Sequence, residues 1–206
     1  MIPFLSTTWT AAAEAFVLGY LFGSIPFGLL FAWAFGEGDV RKIGSGGIGM
    51  TNVLRTGNKA AAGLTLLFDA AKGAAPVWIA GHFWGADAAL FAALAAFLGH
   101  LYPVWLGFKG GKGIAVSLGI LLMLCWPAAL ASLATWLATL ALFRISSLSA
   151  LVTALFAPLY MYLLGREHAA VLCILLAVLV LLAHSQNVRR LLRGVEPRMG
   201  AKSTPA

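Results

Sequence analysis

Seven apolar runs divide the chain, at residues 11–35, 60–81, 86–106, 113–126, 128–143, 148–164 and 169–188. A helix needs about 20 apolar residues to cross the hydrocarbon of a bilayer, and most of the runs approach that length. The fourth and fifth are short, share one apolar block and are divided mainly by Pro127, so they also read as one irregular hairpin of half-length helices. No clear internal repeat, low-complexity segment or soluble linker interrupts the pattern. It predicts an all-α, polytopic integral membrane protein of about seven transmembrane helices, forming a single domain over residues 1–206.

Composition strengthens that reading. Of 206 residues, 61% are hydrophobic and 10% charged, against roughly 25% charged in a soluble domain. The formal net charge of +7 belongs to basic cytoplasmic loops. Without a soluble fold to present those cations, nucleic acid is a poor partner. Cys125 and Cys173 lie far apart inside apolar runs and read as small buried hydrophobes. The first run has no basic segment before it, so it reads as a retained span rather than a cleaved signal peptide.

Charge also orients the chain. With the N-terminus outside, one face receives Arg41, Lys42, Arg55, Lys59, Lys109, Lys112, Arg144, Arg189, Arg190, Arg193, Arg198 and Lys202. The other receives Arg166 alone, while Lys72 falls within a span. Basic residues gather on the cytoplasmic side, and the asymmetry requires an odd number of spans. The N-terminus is therefore expected outside and the C-terminus in the cytoplasm.

Three polar segments then share the cytoplasmic face. In "RKIGSGGIGMTNVLRTGNK", residues 41–59, glycines allow successive N–H groups to converge on an anion. Ser45, Thr51 and Asn52 add neutral donors, and Arg55 a planar fork suited to phosphate. A solvated glycine turn is the plainer alternative. In "GFKGGKGIAV", residues 107–116, Lys109 and Lys112 stand among glycines that a simple stop-transfer loop would not need. Gly113 follows Lys112 where a Walker A loop has Ser or Thr, so the segment reads as a magnesium-free phosphate site. In "AHSQNVRRLLRGVEPR", residues 183–198, His184 and Asn187 share a helix face, with Arg190 close to the same stripe. His184 can exchange a proton near neutral pH. Arg189 and Arg193 read as headgroup anchors, and Glu196 as a residue that orders the tail.

Other polar residues have simpler readings. Asp69 and Lys72, three apart within a span, read as an ion pair that also braces the first loop. Ser147 falls at a helix start, where capping is the default, and His100 closes the third span beside Tyr102 and Pro103. "HFWGAD", residues 82–87, has the His-x4-Asp spacing of soluble glycerolipid acyltransferases, but on the outer face, and reads as a coincidence. No metal-ligand cluster or cofactor motif is visible.

Taken together, "GSIPFG" (23–28), "GSGGIGMTNVLRTGNKA" (44–60), "LFDAAKG" (67–73), "GHLYPVWLGFKGGKGIA" (99–115) and "HSQNVRRLLRGVEPR" (184–198) resemble one family. It is the bacterial acyl-phosphate-dependent glycerol-3-phosphate acyltransferases, the PlsY type. Gly47 and Met50 depart from the family's usual Asn and Ala. The resemblance implies seven spans in the bacterial inner membrane and an active site facing the cytoplasm. It also implies acyl transfer from acyl phosphate to the 1-hydroxyl of sn-glycerol 3-phosphate, giving lysophosphatidic acid and phosphate in the first step of phospholipid synthesis. By that resemblance Lys109, Gly110, Gly111, Lys112 and Ser147 bind glycerol 3-phosphate, and Ser45, Gly46, Thr51, Asn52 and Arg55 cradle acyl phosphate. His184 and Asn187 are the catalytic pair, and the enzyme that makes acyl phosphate is an implied partner beside membrane lipids.

Acyl phosphate is already activated, so direct attack by the hydroxyl needs no covalent intermediate. Either His184 or the donor's own phosphate takes the proton, with alignment and charge stabilisation supplying the rest. A transporter of a small phosphorylated solute would also combine glycine-broken helices with cations. It should carry ionisable residues along a mid-membrane path, whereas here only the Asp69 and Lys72 pair lies there, and the one-sided loops favour interfacial chemistry.

Overall fold

The computed structural model describes residues 6–199, so Lys202, counted above among the cytoplasmic cations, lies outside the described residues. Every described element is helical, and each apolar run has its helix. They are α1 (Trp9–Gly23), α2 (Phe27–Ala34), the short α3 (Met50–Val53), α4 (Lys59–Trp84), α5 (Ala86–Leu101), α6 (Ile114–Leu124), α7 (Trp126–Phe143), α8 (Ser146–Leu163), α9 (Glu167–Ala183) and α10 (Ser185–Leu192). Two compact units divide within α7, one ending at Ala129 and the other beginning at Leu130. Trp9–Ala34, Ala86–Leu106, α7 and α8 are long and apolar enough to cross a membrane, and α9 with α10 adds a fifth if that bent pair counts as one.

Three details differ from the apolar runs. The first run breaks between α1 and α2 at Ser24–Pro26, because Pro26 has no N–H and disfavours helix at Ile25. The carbonyls freed there are recaptured: Lys72 Nζ donates to Ile25 O at 2.6 Å and Trp105 Nε1 to Ser24 O at 2.9 Å. Such recapture is what makes a broken helix tolerable at membrane depth. The α6–α7 break falls on extended Cys125, and Pro127 sits in the first turn of α7, where no helical N–H is lost. The last run bends by 67° between α9 and α10, at His184.

In the first unit, helices pack through small residues. A side chain on Gly19 or Gly23 of α1 would overlap the backbone of Ala92 or Ala96 on α5, and one on Gly119 of α6 the backbone of Ala70 on α4. Between apolar helices in lipid, close backbone approach replaces the hydrophobic effect as the source of association. Asp69 and Lys72 are buried in this packing and pair at 2.7 Å. Their bracing contact is therefore the α1–α2 break rather than the glycine loop. In the second unit α8 packs along α9, and Thr135 of α7 hydrogen-bonds Tyr160 of α8 at 2.6 Å.

Candidate active site

The first unit carries two of the polar segments. Residues 36–58 leave α2, pass a 3₁₀ turn at Val40–Lys42 and enter α3. Asn52 organises this loop from inside. It is 3% exposed, and its Nδ2 donates to Val40 O at 2.7 Å, Gly47 O at 2.8 Å and Ile43 O at 3.2 Å. Its Oδ1 accepts from Ser45 N at 3.1 Å and stands 3.4 Å from Arg55 Nη1. Gly44 and Gly46 have φ of 53° and 69°, the left-handed region that favours glycine. The outcome is an exposed rim of Ser45, Gly46 and Arg55 around a buried amide, with Thr51 half-buried in α3. Asn52's amide is directed into the loop's carbonyls, so it shapes the cradle that sequence reasoning had it line.

Gly47, by contrast, does not need to be glycine. Its φ lies outside the left-handed region, and an added Cβ would meet Ser45 Oγ at an ordinary 3.6 Å. Met50 packs against the small core of Ala32, Val40, Val53, Ala61 and Ala62. At the loop's start, the Arg41 side chain grips Asp39 at 2.8 Å and, with its backbone N–H, holds that carboxyl down to about 2. At its end Asn58 caps α4 by accepting from Ala61 N at 2.9 Å.

The lysine loop is built differently. Gly110 N donates to Leu101 O at 2.9 Å and Gly111 N to His100 O at 3.0 Å. A side chain at Gly110 would overlap the His100 carbonyl, at Gly111 the His100 ring, and at Gly113 the Phe97 ring. These glycines let the loop lie flat on the end of α5, so two of the N–H groups expected to meet an anion are directed inward. Lys109 is exposed and Lys112 half-buried. His100, which closes the third span, has its ring set beneath this loop.

The second unit holds the third segment. His184 is 3% exposed, at the junction of α9 and α10. Its Nδ1 lies 2.8 Å from Val180 O, which can only accept, so Nδ1 carries the proton of the neutral ring. Nε2 is then the acceptor nitrogen. Asn187 and Arg190 share one face of α10, as their spacing predicts, and both donate to Glu196: Asn187 Nδ2 to Oε1 and Arg190 Nε to Oε2, each at 2.6 Å. Ser147 Oγ donates to the same Oε1 at 2.6 Å. Ser147 thus serves the tail, while the N-cap of α8 is Ile145, without a side-chain cap bond. Burial pushes the Glu196 carboxyl up, but the hydrogen bonds from Ser147, Asn187 and Arg190 outweigh it and hold the group below its ordinary value. Arg144 fastens the tail further: its Nη2 donates to Met199 O at 3.1 Å and its carbonyl accepts from Met199 N at 2.7 Å.

The distance in sequence between Ser147 and Glu196 hid this gathering; the only sign was one acid among arginines. The "HFWGAD" residues engage otherwise. His82 stacks on Trp78, and Asp87 accepts from the N–H and hydroxyl of Ser6.

Comparison with known proteins agrees with the motifs. The family described as Glycerol-3-phosphate acyltransferase matches residues 13–194. A protein of Cereibacter sphaeroides bearing that name is 58% identical over 188 residues, 91% of this chain and 90% of its own length. The crystal structure of PlsY (YgiH), an integral membrane glycerol 3-phosphate acyltransferase, in its glycerol 3-phosphate form is 37% identical. It covers 92% of this chain and 96% of its own, with a TM-score of 0.87. The lysophosphatidic acid form of the same protein is 36% identical over 92% of this chain and 95% of its own, with a TM-score of 0.85. With the match running from the first unit into the second and reaching His184, Asn187 and Arg190 of the third polar segment, this chain belongs to the glycerol-3-phosphate acyltransferase family.

Proposed function

We propose that the chain, acting as a single catalytic domain, moves an acyl group from acyl phosphate to the 1-hydroxyl of sn-glycerol 3-phosphate. The hydroxyl oxygen attacks the acyl carbon, the anhydride C–O bond breaks, and inorganic phosphate leaves with the bonding pair. The hydroxyl proton goes to that phosphate, and 1-acylglycerol 3-phosphate remains. The observation that carries this reading is the family match across residues 13–194, which includes each motif that supplies a candidate donor.

Roles follow the chemistry of each segment. Ser45, Gly46, Thr51 and Arg55 receive the acyl phosphate on a cradle shaped by Asn52. Lys109 and Lys112 receive the phosphate of glycerol 3-phosphate, on a loop that Gly110 and Gly111 hold against the end of α5. In the second unit Ser147 assists that substrate, while His184 and Asn187 align the hydroxyl. Positioning and preorganised charge supply the acceleration.

The reading includes seven spans in a bacterial inner membrane: α1 with α2, α4, α5, α6, α7, α8 and α9. The N-terminus is outside and the chemistry cytoplasmic, beside whichever enzyme supplies acyl phosphate. Cysteines introduced at Lys59 and Arg193 should label from the inside and one at Arg166 from the outside; Cys125 and Cys173 are buried and give little background.

Purified protein offered glycerol 3-phosphate with either palmitoyl phosphate or palmitoyl-CoA decides the donor. Phosphate release requiring both palmitoyl phosphate and glycerol 3-phosphate supports the proposal. Transfer from palmitoyl-CoA alone would overturn it, and solute flux in liposomes without acyl product would make the protein a transporter. Near-full activity in His184→Gln would remove that residue from the chemistry.

A further inference from the structure

We infer that His100 is a positioning residue for the lysine loop, its ring setting where Lys112 meets the phosphate of glycerol 3-phosphate. This rests on the reading that the loop binds that phosphate.

His100 ends α5 and is 3% exposed. One edge of its imidazole lies against Gly111, so closely that a Cβ there would overlap Nε2 and Cε1. Its carbonyl accepts the Gly111 N–H at 3.0 Å. The other ring nitrogen faces Asp69 of α4: Nδ1 lies 3.8 Å from Asp69 Oδ1, too far for a hydrogen bond, and has no hydrogen-bond partner among the described residues. Asp69 is itself held by Lys72 at 2.7 Å, and Lys72 is anchored on Ile25 O at 2.6 Å.

The ring is therefore a wedge between a buried ion pair and a bare glycine, one residue before Lys112. Neither side can give way easily: the pair is tied to the α1–α2 break, and Gly111 is tied to the His100 backbone. An apolar ring would fill this space without burying an unpaired nitrogen, a feature that is rare in cores and calls for a reason. Here the imidazole transmits the fixed position of α4 to the backbone that carries Lys112.

The test is steady-state kinetics with glycerol 3-phosphate and palmitoyl phosphate, together with thermal midpoints in detergent. His100→Ala should raise KM for glycerol 3-phosphate about tenfold or more, as loss of alignment does, with KM for palmitoyl phosphate within about twofold. His100→Gln, whose amide reaches the place of Nε2, should recover most of the loss at an unchanged midpoint. Gly111→Ala should raise the same constant alone, yet add little in a His100→Ala background, because the ring it strikes is gone. Additive effects in that double variant would overturn the inference, as would equal rises in both KM values. So would a lowered midpoint with KM unchanged. Lys112→Gln separates the layers. If it leaves KM for glycerol 3-phosphate unchanged, the phosphate assignment of the loop fails and the inference with it. If it raises KM while His100→Ala does not, only the positioning role fails. Should His100→Ala not fold, His100→Gln and Gly111→Ala carry the same comparison.

Discussion

The two glycine-rich loops of the first unit look alike in sequence and are held by opposite means. Residues 44–52 hang on one side chain: Asn52 reaches into the loop and collects Val40, Ile43 and Gly47 carbonyls and the Ser45 N–H. Its glycines at 44 and 46 are required by φ. Residues 107–113 have no such hub. They are pressed onto the end of α5, and Gly110 and Gly111 are required by what lies beneath them. A glycine cluster beside cations therefore has two distinct causes, conformation and close approach, and neither is itself an anion site. In both loops the groups turned outward are side chains with little else to hold, such as Arg55 and Lys109.

The sharpest way to break this contrast is Asn52→Ala. Leaving the buried Val40 carbonyl without its partner costs about 1–3 kcal/mol, and the part-buried Ile43 and Gly47 carbonyls and Ser45 N–H lose their bonds as well. The variant should lose several kcal/mol of stability and nearly all activity, read by thermal midpoint and turnover. A midpoint close to wild type would mean that the first loop is not built around this amide. Gly113→Ala comes next, at about 2 kcal/mol or more, since its φ of 85° and the Phe97 ring both oppose a side chain. An unchanged midpoint there would refute the close-approach account of the second loop.

The second unit provides an intermediate case, a loop closed by a charge. Glu196→Gln should cost about 1.5–3 kcal/mol, the scale of hydrogen bonds to a charged group, and should loosen Ser147 and Asn187 together. It also predicts a pH dependence. The Glu196 carboxyl titrates lower in the folded chain than in the unfolded one. Between those two values the unfolded chain binds more protons, so stability rises with pH there. The contribution is whole above the ordinary glutamate value and is lost as pH falls through the lower, folded one. Thermal midpoints between about pH 3 and 6 should fall on acidification in wild type and less steeply in Glu196→Gln. The smallest effect belongs to Gly47→Asn. With ordinary φ and open space, it should stay within about 0.5 kcal/mol and leave KM for both substrates unchanged, whereas Gly44→Ala should not.

Much of this was legible along the chain. Apolar runs predict helices because local hydrophobicity and length suffice for that inference. The three polar segments stood out because glycine, lysine and histidine are conspicuous among leucines. The Asp69–Lys72 pair was readable because its partners are three residues apart on one helix. Ser147 and Glu196, 49 residues apart, were not, since nothing local links a helix start to a tail carboxylate. His100 is conspicuous at the end of an apolar run, but its place beneath Gly111 depends on how sharply the chain turns after α5.

Sequence alone determined the class of the molecule: a mostly apolar helical chain with its chemistry confined to short basic loops. Those properties follow from composition and near-neighbour spacing, which the polypeptide carries in any conformation. Tertiary structure decided which polar atoms face inward and which outward. That choice depends on where carbonyls freed by helix breaks and loops find donors; Asn52 serves its own loop, but Lys72, Trp105 and Arg144 arrive from elsewhere in the fold.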